Sequence, residues 1–137
     1  MQRVALSEAS ALATLADAQL AQGRTSEAQQ ASARAVQLLK RDDVLRTRLF
    51  ILTTAARVSA SSGRTVEARR SLEAVLREAR ESQLFGSELE ARLALAEVEI
   101  RSANAVGARA RLAALEKDAL ARGFLGIARK ARAATGR

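Results

Sequence analysis

The sequence predicts an all-α fold, an α-solenoid of three antiparallel helix hairpins plus a C-terminal capping helix, and three observations carry that prediction. The first is an internal echo. Gly-Arg-Thr-Ser-Glu-Ala at 23–28 returns as Gly-Arg-Thr-Val-Glu-Ala at 63–68, with a degraded copy at 103–108, so the interval is forty residues each time. The second is that packing-type residues keep the same interval: Leu15, Ala55 and Leu95; Ala16, Ala56 and Ala96; Ala35, Val75 and Leu115; Leu39, Ala79 and Ala119. The third is composition. There is no proline, only seven glycines, and alanine is the commonest residue, which favours helix almost everywhere and leaves no segment with a strand's β-branched, alternating pattern.

The elements follow in order. From Leu6 to Gln22, Ala9, Leu12, Ala13, Ala16 and Leu20 recur at helical spacing and Gly23 supplies a stop. Thr25 is then placed to cap a second helix with its hydroxyl, and Ala28, Ala35, Leu38 and Leu39 make that helix's inner stripe to about Arg41. Asp42 or Asp43 is expected to cap the next helix, which runs through Leu49, Leu52, Ala56 and Ala60 to Ser62 before Gly63 and Thr65 repeat the turn. The helix from about Val66 to Gln83 turns Ala68, Leu72, Val75, Leu76 and Ala79 inward. Gly86 marks a break, and Ser87 with Glu90 fits a capping box that starts a helix at about Glu88. The last pair spans about Glu88 to Ser102 and Ala105 to Ala121, with Ala103-Asn104 as its turn. Past Gly123, Phe124, Ile127, Ala128 and Ala131 form a short seventh helix suited to cap an exposed stack. The expected organisation is one domain over 1–137, with units at about 1–41, 42–84 and 85–122 and the capping helix at about 124–134.

Length and apolar content bound what the chain can be: 137 residues at 48% hydrophobic suffice for a continuous core. Without cysteine there is no disulfide framework and no thiolate metal site, and histidine is missing as well. No run is long and apolar enough for a signal peptide or a membrane span, so a cytoplasmic location with no membrane partner is expected by default.

Catalysis is argued against by residue type. With no histidine, cysteine, tyrosine or tryptophan, only carboxylates, lysines and hydroxyls remain for proton transfer or nucleophilic attack, and none has an evident activating neighbour. Glu97 and Glu99, two apart, lie on different faces of a helix, and Asp42-Asp43 lacks the surrounding ligand loop of a cation site. The Gly-Arg-Thr turns lack the glycine pattern and following lysine of a nucleotide loop. No enzyme, cofactor or metal is expected, and the partner classes that remain are macromolecular.

The net charge of +8 permits an acidic partner. Arg64, Arg69, Arg70, Arg77 and Arg80 crowd one helix, and the tail carrying Arg122, Arg129, Lys130, Arg132 and Arg137 contains no acid. Phosphate contacts need such charge, so nucleic acid is the second-choice partner. Against it, Glu73 and Arg77, Glu88 and Arg92, Glu97 and Arg101, and Asp118 and Arg122 all stand four apart in the favourable acid-first order, which would engage many arginines on their own helices. Only three phenylalanines are available to stack on bases.

Leu15-Ala16, Gly23, Ala28 and Ala35, then Ala56, Gly63, Ala68 and Leu72, then Leu95-Ala96, Ala108 and Leu112 resemble the pattern of the tetratricopeptide repeat. The match departs from the family in its forty-residue period, in lost aromatic positions, and in Lys40, Arg80 and Leu120 standing where the family closes its second helix with proline. Longer-period variants look like the repeat regions of large bacterial regulatory and signalling proteins. The resemblance implies a non-enzymatic protein- or peptide-binding module, with self-association through an exposed end as a further option. It also implies a concave contact face containing Asp17, Leu20, Phe50, Thr53, Arg57, Glu90, Leu93, Glu97, Ile100 and Arg101. That face would be an apolar stripe with a charged edge, better matched to a peptide than to a phosphate backbone.

Overall fold

Why the chain turns where it does is decided by a few left-handed residues. The computed structural model describes residues 2–102 and 105–136, with side-chain surroundings from residue 4 onward. Among them are seven α-helices and no strand: α1 Gln2–Ala21, α2 Thr25–Gln37, α3 Leu45–Ser61, α4 Thr65–Glu81, α5 Phe85–Ile100, α6 Ala105–Ala121 and α7 Leu125–Ala134. The all-α expectation therefore holds among the described residues. The expected Ala103-Asn104 turn lies outside them.

The turn after α1 carries a Schellman geometry. Gly23 adopts φ 78°, its amide bonds the Leu20 carbonyl at 3.0 Å, and the Arg24 amide reaches back to the Gln19 carbonyl at 2.8 Å. The same two bonds recur at Gly63 (φ 89°) and Arg64, and at Gly123 (φ 82°) and Phe124. Between α4 and α5 the left-handed position is taken by Gln83 at φ 56°, the one non-glycine with positive φ among the described residues. Gln83 and Gly123 stand forty residues apart and close their helices with the same hydrogen bonds, Leu84 to Ala79 and Phe124 to Ala119.

These turns displace the expected side-chain caps. The residue after each left-handed position finishes one helix and begins the next, so the N-caps of α2, α5 and α7 are Arg24, Leu84 and Phe124, none with a capping side-chain bond. Thr25 is consequently the first residue of α2 and caps nothing. Ser87 sits inside α5, which starts at Phe85 and not at Glu88. The N-cap of α3 is Val44, while the Asp43 carboxylate accepts a bond from the Lys40 amide at 2.6 Å and closes the loop after α2. That helix ends at Gln37, four residues earlier than Arg41. Gly86 is not a break either: it is the second residue of α5, and a Cβ there would meet the Phe124 ring at 3.1 Å, so glycine serves close packing.

Contacts divide the chain into two units, one ending at Ser71 and the other beginning at Leu72, inside α4. In the first, α1 and α2 pack on each other and α3 packs on both. Ala9, Ala13, Ala35 and Ile51 form one buried cluster, and Ala16, Ala28, Ala31 and Val58 another. Alanines at the crossings let the helix axes approach closely. In the second unit, α6 packs against α5 and α7 around Leu89, Leu93, Ala96, Leu112, Leu115, Ala119, Ile127, Ala128 and Ala131. Ile100, Phe124 and Ala134 border this core. No helix among the described residues is long and apolar enough to cross a membrane.

Candidate functional site

The ten residues expected on one face are distributed over the two units. Asp17, Leu20, Phe50, Thr53 and Arg57 lie in the first. Phe50 is exposed (38%), Asp17, Leu20 and Arg57 are half-buried, and Leu20 leans on the Ala16–Val58 cluster. Thr53 is buried, its hydroxyl donating to the Leu49 carbonyl at 2.7 Å, so it presents no surface. In the second unit Glu90, Glu97 and Ile100 are half-buried and Arg101 is exposed. Leu93 is fully buried, a centre of the α5–α6–α7 core, and cannot touch a partner. The physical reason is the same for both. On α3 and α5 buried positions fall on more than half of the helix circumference, because each is packed on two sides, and a single inner stripe does not describe them.

A groove that the sequence reasoning missed lies along α2 and α3. It has a volume of about 500 Å³, a wall of Val36, Ala55 and Val58, and a polar edge of Gln29, Ser59, Ser62 and Arg64. The Gln29 amide donates to the Ser62 hydroxyl, which donates in turn to the Val58 carbonyl at 3.0 Å, fixing the edge at the α3 end. The available signal was Val36: it falls outside the Ala28–Ala35 stripe, where an apolar residue has no core to enter, and it is exposed.

The second unit holds a smaller recess of about 300 Å³ between α5 and α6. Arg92 and Asp118, each expected to pair along its own helix, meet each other across it at 2.9 Å. Glu88 pairs with Arg80 of α4 at 3.6 Å, and Glu99 with Arg111 of α6. The Arg122 guanidinium lies over the Phe85 ring, 3.9 Å from its centroid. Facing helices separated by a groove bring long charged side chains together across it, and the four-residue spacing on one helix does not anticipate that. These are partly exposed pairs, each contributing about 0.2–1 kcal/mol. A double-mutant cycle between Phe85→Leu and Arg122→Ala should return a coupling of about 0.5–1 kcal/mol by urea denaturation; no coupling would mean that the stacking contributes nothing to stability.

Chemically, the α2–α3 groove offers hydroxyls, an amide, one guanidinium group and an apolar wall, and the α5–α6 recess offers carboxylates, guanidinium groups and the Phe85 ring. Among the described residues no three acidic side chains converge as a cation site would require. Compared with protein-family models, with curated proteins and with solved structures, the chain matches none.

Proposed function

We propose that this chain is a non-enzymatic helical repeat module, tetratricopeptide-like in its stacking, that binds a protein or peptide segment as part of a larger bacterial regulatory or signalling protein in the cytoplasm. The observation that supports this most is the α2–α3 groove, whose apolar wall and hydrogen-bonded polar edge suit an extended or helical segment laid along two helices. Phe50 and Arg57, on the same helix α3, and Asp17 and Leu20 on α1 are the expected face residues of this unit that keep exposed area. Affinity would come from apolar burial against Val36 and Ala55, and selectivity from Gln29 and Arg64 at the edge.

The test is capture of partners from nuclease-treated extract by the whole chain and by Val36→Glu. Both should show the same helical circular dichroism, since Val36 is exposed, and only the parent should retain a protein partner. Equal capture by the variant would sink the groove reading. Capture that vanishes with nuclease treatment, joined by salt-sensitive binding to a nucleic acid that Arg129→Glu weakens, would instead favour nucleic-acid binding through the basic second helices and tail.

A further inference from the structure

Helix α6 presents an apolar strip to solvent where its counterparts in the forty-residue register present polar side chains. Ala108, Leu112, Leu115 and Ala119 are its buried side. On the opposite side Val106, Ala110, Ala113, Lys117 and Leu120 follow one another at alternating spacings of four and three, the pattern by which one helix lies along another. All are exposed, Val106 at 83% and Leu120 at 52%. Forty residues earlier, in α4, the same positions are Val66, Arg70, Glu73, Arg77 and Arg80, also exposed. In α2 they begin with Ser26, Gln30, Ala33 and Gln37, again exposed. The repeat therefore turns this face to water, and α6 carries Ala110, Ala113 and Leu120 where α4 carries Arg70, Glu73 and Arg80. An apolar strip that the chain's own packing does not use marks a contact surface.

The edges of the strip select its occupant. Arg109 and Glu116 stand seven apart along one edge, and Gly107, Ala114 and Ala121 stand seven apart along the other. When a helix pairs with a copy of itself running the opposite way, each edge faces its own counterpart in reversed order. With Ala113 at the centre, Val106 of one copy then meets Leu120 of the other and Arg109 meets Glu116, each twice. Lys117 falls beside Ala110, whose small side chain leaves room for the lysine stem. The edge of Gly107, Ala114 and Ala121 lets the two axes approach closely. Parallel pairing would instead set Arg109 against Arg109 and Glu116 against Glu116. The two charges are also open to a partner. The ion pairs that α6 makes with α5 use Arg111 and Asp118, and among the described residues Arg109 and Glu116 have no ion-pair partner.

We propose that two copies of the chain associate through α6, antiparallel about a two-fold axis at Ala113, with Arg109 of each copy paired to Glu116 of the other. Both copies contribute the same surface, so the contact closes at two. It lies on one helix of the second unit and does not depend on the peptide-binding reading, which uses α2 and α3. A pair of 17-residue helices covers less than the roughly 800 Å² per partner of a standard interface, so the dimer dissociates on dilution.

The experiment is sedimentation equilibrium of the full chain at concentrations up to about 1 mM, the weak end of specific association. The parent mass should rise from 14.6 kDa toward twice that value and no further. Ala113→Arg sets two guanidinium groups against each other at the axis and should abolish the dimer. Arg109→Glu and Glu116→Arg each place like charges opposite one another and should weaken the dimer by about tenfold or more. The two reversals combined in one chain, or the two single variants mixed in equal amounts, should restore it to within about threefold of the parent. All these positions lie outside the core, so helical circular dichroism should stay unchanged, and the restored dimer shows in addition that the reversed chains are folded. A parent that stays monomeric, a mass that passes the dimer, a folded Ala113→Arg that still pairs, or a double reversal no tighter than the single ones would each overturn the proposal.

Discussion

Replacing Leu93 with alanine is expected to lower the stability of the chain by about 2–5 kcal/mol, the range for truncating a fully buried leucine. Leu93 is 0% exposed and sits among Leu89, Ala96, Leu112 and Leu115, so the change removes apolar contacts and leaves a void that helices held on several sides cannot close. The measurement is urea denaturation followed by circular dichroism. The outcome separates two roles for this position: a contact-face residue would cost a few tenths of a kcal/mol when truncated and would weaken partner capture, whereas a core residue unfolds the α5–α6–α7 unit first. A loss below about 1 kcal/mol would contradict the buried placement.

Gln83 and Gly123 make the second large test, because they hold equivalent left-handed positions with different side chains. A residue with a Cβ pays about 1–2 kcal/mol for that conformation, and glycine does not. Gly123→Gln should therefore destabilise by about 1–2 kcal/mol, while Gln83→Gly should stabilise, by less than the full strain because glycine also loosens the unfolded chain. No heavy atom lies within 4 Å of a Cβ built at Gly123, so crowding does not contribute and the effect isolates backbone conformation. Effects of the same sign in both proteins would mean that the two turns are not equivalent.

How much of this was legible in the sequence varies by level. The helices were, because alanine-rich segments without proline, punctuated by glycine at fixed intervals, have few alternatives to helix, and the starts and ends of α4, α6 and α7 fall within two residues of expectation. Gly23 and Gly63 were readable as turns for the same reason. The caps were not. Thr25, Asp42, Asp43 and Ser87 have the right chemistry for capping, but a Schellman turn fuses the end of one helix to the start of the next, and the capping position passes to whichever residue follows, even leucine or phenylalanine.

Of the residues expected on a contact face, Phe50 and Arg101 are exposed, whereas Thr53 and Leu93 are buried. Periodicity gives the direction of a helix's apolar stripe but not its width, and the width depends on how many neighbours press on it. The α2–α3 groove and the Arg92–Asp118, Glu99–Arg111 and Arg122–Phe85 contacts join residues that no local spacing relates.

The sequence by itself determined the all-helical character, the forty-residue register and the absence of the side chains most used in acid–base and nucleophilic catalysis, since these depend on local propensity and residue type. Only the tertiary structure decided which members of that register are buried. Ala11, Ile51 and Ala91 are equivalent in sequence, yet Ile51 and Ala91 are enclosed and Ala11 is bare. Burial is a property of the neighbours a helix acquires, and equal spacing along the sequence does not fix which neighbours those are.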